Sequence, residues 1–223
     1  MKHYGDITKI NGALVEPVNV VIGGSPCQDL SVAGKQAGLA GERSGLFMEQ
    51  LRIIKEMRRA DLERGRTGKD TRPRYMVWEN KTPCLSAGSP TGQAALGVCT
   101  EYIVRRLTPL ECERLQGFPD GWTDIGEWTD SKGKVHKEST DSARYKALGN
   151  SIAIPPWTYV LQRLSLCCGA KPTMASLFDG IGGFPYIWES LNGKGSCVWA
   201  SEIEDFPIAV TKYHFPEEVT NDG

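Results

Sequence analysis

Residues 18–24 read Val-Asn-Val-Val-Ile-Gly-Gly, a continuous apolar run that ends in two glycines. A strand with one wet face alternates apolar and polar residues, whereas a strand covered on both faces is apolar almost throughout. The run therefore predicts a buried strand of the kind found in parallel sheets, followed by a loop. A parallel neighbour needs a crossover, and the next segment supplies one. In residues 44–64, Phe47, Leu51, Ile54 and Met57 fall on one helical face with charges opposite. A polar connection follows, and Tyr75-Met76-Val77-Trp78-Glu79-Asn80 reads as a second short strand. Strand, helix and strand in this order specify an α/β fold with a parallel sheet.

The rest of the chain repeats the theme. Residues 107–119 open with Thr108-Pro109, a cap followed by proline at the first helical position, and predict a short helix. Residues 154–168 begin with prolines and continue as a mostly apolar helix. Residues 174–193 are a strand, a glycine-rich turn and a helix, and 196–206 are a strand closing on acids. Residues 81–99 and 121–140 read as loop. In open parallel sheets ligands sit outside the carboxyl ends of the strands. Cys27, Glu79, the 178–184 turn and Glu202 all fall at such ends, which points to one shared site.

Composition narrows the class. A chain of 223 residues builds one large core, or one core plus a small lobe. No apolar run reaches the roughly 18 residues that span a bilayer, and MKHYGDITKI lacks the apolar core of a signal peptide. The seven cysteines are odd in number and show no repeated CxxC pair, so reduced thiols, a cytoplasmic location and no metal are expected. A net charge of −1 does not mark a nucleic-acid binder. Its distribution is uneven: residues 52–74 hold nine Lys/Arg against four Asp/Glu, and 174–223 hold eight acids against two lysines. A basic stretch facing phosphate would suit DNA; a solvated helix and loop would read the same.

Each strand end carries a chemical possibility. Cys27, after a strand and near glycines, stands where backbone N–H groups favour a thiolate. Glu79 at a strand edge, partly desolvated, can keep a proton and give it to a base nitrogen. Phe178-Asp179-Gly180-Ile181-Gly182-Gly183 resembles a nucleotide-binding turn, and Glu202 sits about 20 residues on, the distance of a ribose-binding acid. A nicotinamide enzyme is the rival reading of the turn alone.

Together these motifs resemble the DNA cytosine-5 methyltransferase family. Gly24-Ser25-Pro26-Cys27-Gln28 looks like its nucleophile loop, with Pro26 also against the cofactor, and Trp78-Glu79-Asn80 looks like its Glu-Asn motif. The 177–184 segment looks like its S-adenosylmethionine turn, using Phe178, Asp179, Gly180, Gly182 and Gly183. Glu202 matches the ribose-binding acid, with Ile203 beside the adenine. In Gly5-Asp6-Ile7, Asp6 matches the acid that meets the adenine amino group. Leu46 fits the helix after the nucleophile loop. Residues 106–119 match a late motif that supports the recognition lobe, and Ala147 to Asn150-Ser151 match the final motif, which closes over the cofactor. The resemblance implies a Rossmann-like parallel sheet with helices on both faces, a reduced second lobe, and double-stranded DNA as partner. It implies attack by Cys27 on carbon 6 of a flipped cytosine while Glu79 holds or protonates N3.

Two departures stand out. The cofactor turn comes after the final motif, an order expected of a circular permutation at a surface loop, or of two fused reading frames, since Met174 opens the displaced segment. Residues 81–104 are also all that separate Asn80 from Arg105, where the family places two strands, an Arg-rich motif and most of its recognition region. The expected division is therefore a catalytic part over 1–80, a reduced recognition or linker lobe over 81–146, and a closing and cofactor part over 147–223. A complementing subunit, a homodimer, or a non-catalytic remnant that binds cofactor or DNA are the alternatives this leaves open. A restriction-modification role in a bacterium or phage is implied by the resemblance alone.

Overall fold

The computed structural model describes residues 1–24, 45–78, 97–99 and 104–216. Along them run β1 (Lys2–Tyr4), β2 (Val20–Gly23), α1 (Gly45–Glu63), β3 (Tyr75–Trp78), β4 (Gly97–Cys99), β5 (Val104–Arg106), α2 (Pro109–Gln116), β6 (Trp128–Thr129), β7 (Val135–His136), α3 (Asp141–Gly149), α4 (Ile154–Cys168), β8 (Met174–Leu177), α5 (Gly183–Asn192), β9 (Cys197–Ser201) and α6 (Asp205–His214). Five strands make one parallel sheet in the order β1-β9-β8-β2-β3. The pairs β4-β5 and β6-β7 are small antiparallel ribbons. This is the mostly parallel α/β sheet that the apolar runs predict.

Both sheet faces are dry. Val20, Ile22, Met174 and Cys197 pack with Leu161 of α4, Ile187 and Trp188 of α5, and Val210 of α6. Val21, Ala175, Leu177 and Trp199 face the other way, onto Ile7, Ile10 and the α1 residues Ile53 and Met57. So α1, which leads from β2 outward to β3, lies on one face, and α5, which leads from β8 outward to β9, lies on the other. The chain's connections diverge between β8 and β2, which makes that gap the switch point of the sheet. At its amino end the same gap is clamped by Asn19, whose Oδ1 accepts from Thr173 N–H at 3.0 Å. That use explains a polar residue within the apolar run.

The core face of α1 differs from the expected one. Gln50, Ile53, Met57, Ala60 and Asp61 are buried, while Phe47, Leu51 and Ile54 are only half-buried. Two polar residues in the buried stripe shift the apparent apolar face by about one residue. Asp61 is buried because Arg72 pairs with it at 3.0 Å. The basic stretch is likewise mostly consumed inside the fold. Arg52 bridges Glu49 and Glu56, and Arg58 donates to the carbonyls of Thr71 and Pro73. The α2 cap is as expected: Thr108 and Glu111 cap each other's backbone N–H groups.

Candidate active site

The register of the sheet sets the site. Tyr4, Ser201, Leu177, Gly23 and Trp78 stand side by side as one row across all five strands. Each is the last residue of its strand. The segments that follow in sequence are Gly5-Asp6-Ile7, Glu202-Ile203, the 178–183 turn, Gly24 and Glu79. Every strand end that the motifs single out therefore opens at one edge. Pro26, Cys27, Gln28, Glu79 and Asn80 themselves lie outside the described residues.

The turn after β8 needs its glycines at particular points. Phe178 has φ 55° and Gly180 φ 58°. A left-handed phenylalanine is uncommon and marks a turn held by its surroundings. A Cβ on Gly180 would meet nothing within 4 Å, so this glycine presents bare backbone to open space. Gly182, at φ 80°, is different: a Cβ there would stand 2.9 Å from the Phe215 ring. On Gly183 it would stand 2.8 Å from Ile152 Cγ1. That contact brings the segment after Asn150-Ser151 against the start of α5. Asn150 caps α3 through its N–H, and Ser151 N–H donates to the Leu148 carbonyl at 3.0 Å. Lys146 of α3 reaches Glu204 at 2.8 Å. The structure thus joins the 147–151 motif to the turn and to the start of α6.

Two carboxylates organise the edge. Glu202 accepts from Gly180 N–H at 2.8 Å, from Ile203 N–H at 2.7 Å and from Glu204 N–H at 3.0 Å. Asp179 is buried. Its Oδ1 accepts from Ser176 Oγ at 2.5 Å, and its Oδ2 from Thr211 Oγ1 at 3.4 Å. Burial pushes Asp179 up to about 7, and the neighbouring Glu202 carboxylate adds to the rise while both hydroxyls oppose it. Ile203 stays 69% exposed beside these acids, an apolar side chain with an open face. On β1's side, Asp6 caps a single 3-10 turn, accepting from Thr8 N–H at 2.9 Å, and Ile7 is buried beneath it. The Thr8 hydroxyl holds the exposed Asp6 carboxyl below its ordinary value. Leu46 packs against the α1 side of the sheet.

Sequence reading missed Ser176 and Thr211, which look like ordinary strand and helix residues until the fold sets them on Asp179. It also missed Gln50, which is wholly buried with neither amide atom hydrogen-bonded. Burial pushes the Cys168 thiol up to about 11 and raises the Cys197 thiol well above its ordinary value. Among the described residues no cluster of His, Cys, Asp and Glu could hold a metal ion, and no helix is long and apolar enough to cross a membrane.

Comparison with known proteins gives the site its context. A protein of Escherichia phage P1 named DNA N-6-adenine-methyltransferase is 38% identical over 111 residues, covering 41% of this chain and 14% of that protein. Type II methyltransferase M1.ScrFI of Lactococcus lactis subsp. cremoris is 47% identical over 55 residues, 25% of this chain and 14% of its own length. Type II methyltransferase M.HhaI of Haemophilus parahaemolyticus is 38% identical over 55 residues, 25% of this chain and 17% of its own. The chain thus spans under a fifth of the length of these curated relatives. The model of C-5 cytosine-specific DNA methylases matches residues 1–82 and 58–165, together well over half of the 223 residues. With that match, the chain belongs to the C-5 cytosine-specific DNA methylase family.

Proposed function

We propose that this chain methylates carbon 5 of cytosine in double-stranded DNA, with Cys27 as nucleophile and S-adenosylmethionine as methyl donor. The observation that carries the reading is the single row Tyr4, Ser201, Leu177, Gly23 and Trp78, from which every motif-bearing segment departs at the switch point. The residues present fit the cofactor. Bare backbone at Gly180 suits close approach of a charged ligand, the Glu202 carboxylate suits ribose hydroxyls, and exposed Ile203 suits one face of adenine. Phe178, Asp179, Gly182 and Gly183 hold that turn in shape, and Asp6, Ile7, Pro26, Leu46, Asn150 and Ser151 complete the pocket. When bound, S-adenosylmethionine supplies an electrophilic methyl group.

An aromatic carbon is a poor nucleophile, so the base needs temporary covalent activation. The Cys27 thiolate forms a bond to carbon 6 of the flipped cytosine while Glu79 protonates N3, which leaves carbon 5 electron-rich. Carbon 5 takes the methyl group. Loss of its proton, departure of the Cys27 thiolate and return of the N3 proton to Glu79 then restore the aromatic, neutral base. Asn80 steadies the loop Pro26-Cys27-Gln28. The 1–80 segment carries this chemistry, 147–223 carries the cofactor side, and 81–146 is a reduced recognition lobe. The displaced cofactor turn is read as a circular permutation, supported by parallel pairing of β1 with β9. The brevity of residues 81–104 favours a complementing subunit that brings the Arg-rich motif, acting with this chain in a bacterial or phage-infected cytoplasm.

The test is covalent trapping on mixed-sequence DNA containing 5-fluorocytosine, with S-adenosylmethionine and with Cys27→Ala as control. Fluorine cannot leave as a cation, so the enzyme stalls as an adduct. Adduct that needs both cofactor and Cys27 is expected. Adduct formed by Cys27→Ala, or none from the wild type with or without cell extract, overturns the reading.

A further inference from the structure

The 178–183 turn needs help to hold its shape. Phe178, Gly180 and Gly182 all take left-handed φ, at 55°, 58° and 80°, and its glycines have many other conformations open to them. Ties from outside the turn select this one. Asp179 N–H donates to the Ser201 carbonyl at 3.1 Å, Gly180 N–H donates to Glu202 at 2.8 Å, and the Gly180 carbonyl accepts from Thr211 Oγ1 at 3.0 Å. These three partners lie in β9, just after it, and in α6, all close behind the turn in sequence. A fourth comes from elsewhere. Trp122 Nε1–H donates to the Ile181 carbonyl at 2.8 Å, in a buried setting, from the 121–140 stretch that reads as loop. That carbonyl finds no donor in its own helix. The α5 ladder begins at the Gly182 carbonyl, which accepts from Tyr186 N–H at 3.0 Å, and Pro185, four residues past Ile181, has no N–H to give. A buried carbonyl left without a donor is costly, so the indole is the group that lets Ile181 face inward.

The indole is itself held on several sides. Trp122 is only 5% exposed. The His214 ring stacks on it, with centroids 3.6 Å apart and planes 3° apart, and His214 Nε2–H donates to the Trp122 carbonyl at 2.8 Å. The rings of Phe118 and Tyr186 stand 5.5 and 5.0 Å away. An indole packed in this way has one direction for its N–H, and that direction meets the backbone between Gly180 and Gly182. We infer that Trp122 is a positioning residue for the cofactor: its N–H fixes the Ile181 peptide, and with it the bare backbone of Gly180, in the shape that receives S-adenosylmethionine. A turn that already has its bound shape gives up less freedom on binding, and the difference appears as affinity. The inference rests on the reading of 178–183 as the cofactor turn and adds to that site a residue from the 121–140 stretch.

Two variants separate positioning from packing. Trp122→Phe keeps a ring in the cluster and removes the N–H. His214→Leu removes a ring from the same cluster and keeps the N–H. Both should lower the melting temperature. Affinity for S-adenosylhomocysteine, measured by calorimetry well below both melting temperatures, should tell them apart. Trp122→Phe is expected to bind about tenfold more weakly than the wild type, the size of one lost hydrogen bond, and His214→Leu to stay within about twofold. Unchanged affinity in Trp122→Phe, or an equal loss in the two variants, overturns the inference, because packing alone then accounts for the result. Should Trp122→Phe fail to fold, the indole N–H resonances of the isotope-labelled wild type decide. The Trp122 signal is the one that moves most in His214→Leu, through loss of the stacked ring. It should shift as S-adenosylhomocysteine saturates the protein, and a signal that stays in place overturns the inference. A wild type that binds no S-adenosylhomocysteine overturns the cofactor reading itself, and the role of Trp122 with it.

Discussion

Replacing Asp179 by asparagine should make the protein's stability lose a pH dependence that the wild type has between about pH 4 and pH 7. The carboxyl moves from 3.8 to about 7 on folding, because it is buried and faces Glu202. The native state therefore keeps a proton that the unfolded chain gives up. Unfolding free energy changes with pH as the proton count of the unfolded state minus that of the native state, which is negative here. The stabilising contribution of the neutral carboxyl is complete below about pH 4 and is lost as pH rises through 7. At 1.36 kcal/mol for each pH unit, the full loss is about 4 kcal/mol. Asparagine keeps an oxygen for the Ser176 hydroxyl and never ionises. Urea titrations of both proteins at pH 4, 5, 6, 7 and 8 should show near-equal stability at pH 4 and a gap in favour of Asp179→Asn that widens up to about pH 7 and then levels off. Parallel pH profiles would refute the claim that a buried, proton-holding carboxyl sits under the turn. Glu202→Gln should shrink the gap, since it removes the negative neighbour.

Gly182→Ala should lower stability by about 1–3 kcal/mol, from a left-handed φ combined with a 2.9 Å approach to the Phe215 ring; Gly180→Ala, with open space, should cost less in the same melting assay and weaken S-adenosylhomocysteine binding more. Glu113 is buried, accepts from Gly121 N–H, Thr123 N–H and the Thr123 hydroxyl, and pairs with Arg144 at 3.3 Å. Glu113→Ala should therefore cost about 3–5 kcal/mol in urea unfolding, because Arg144 loses its buried partner.

What could be read from sequence followed the strength of local pattern. Three apolar runs ending in glycine or acid located β2, β8 and β9, because a strand dry on both faces has no polar alternation to blur it. Residues 154–168 matched α4 to the residue, as proline at its start and glycine after its end define it. The three-residue β1 is too short for any period to register, and its strand character comes from pairing with β9 across the whole chain. Helices α3 and α6 escaped notice because α3 buries only Ala147 and Leu148, and because 205–214 follows directly on the acids that close β9. The β6-β7 ribbon lies in a polar stretch where Trp128 stacks on His136 at 4.1 Å, a contact no spacing rule anticipates. The nucleotide-turn glycines were legible, while the Ser176 and Thr211 hydroxyls that hold Asp179 emerge only from tertiary packing.

The strand order has a consequence for how the protein is made. β1, β2 and β3 leave the ribosome before β8 and β9, yet among the described strands β1 pairs only with β9, and β2 has β8 as its other neighbour. The middle of the sheet, β8 and β9, is translated after the β2-β3 edge. From Gly23 to Leu177 the ribosome adds residues at about 5–20 per second, so roughly 8–31 seconds pass with Val20, Val21 and Ile22 lacking their β8 partner. Contacts of such long sequence separation also close slowly. The finished sheet is well covered, but the growing chain displays a bare apolar strand until β8 emerges, and its yield in cells should depend on the holding chaperones that meet it during that interval.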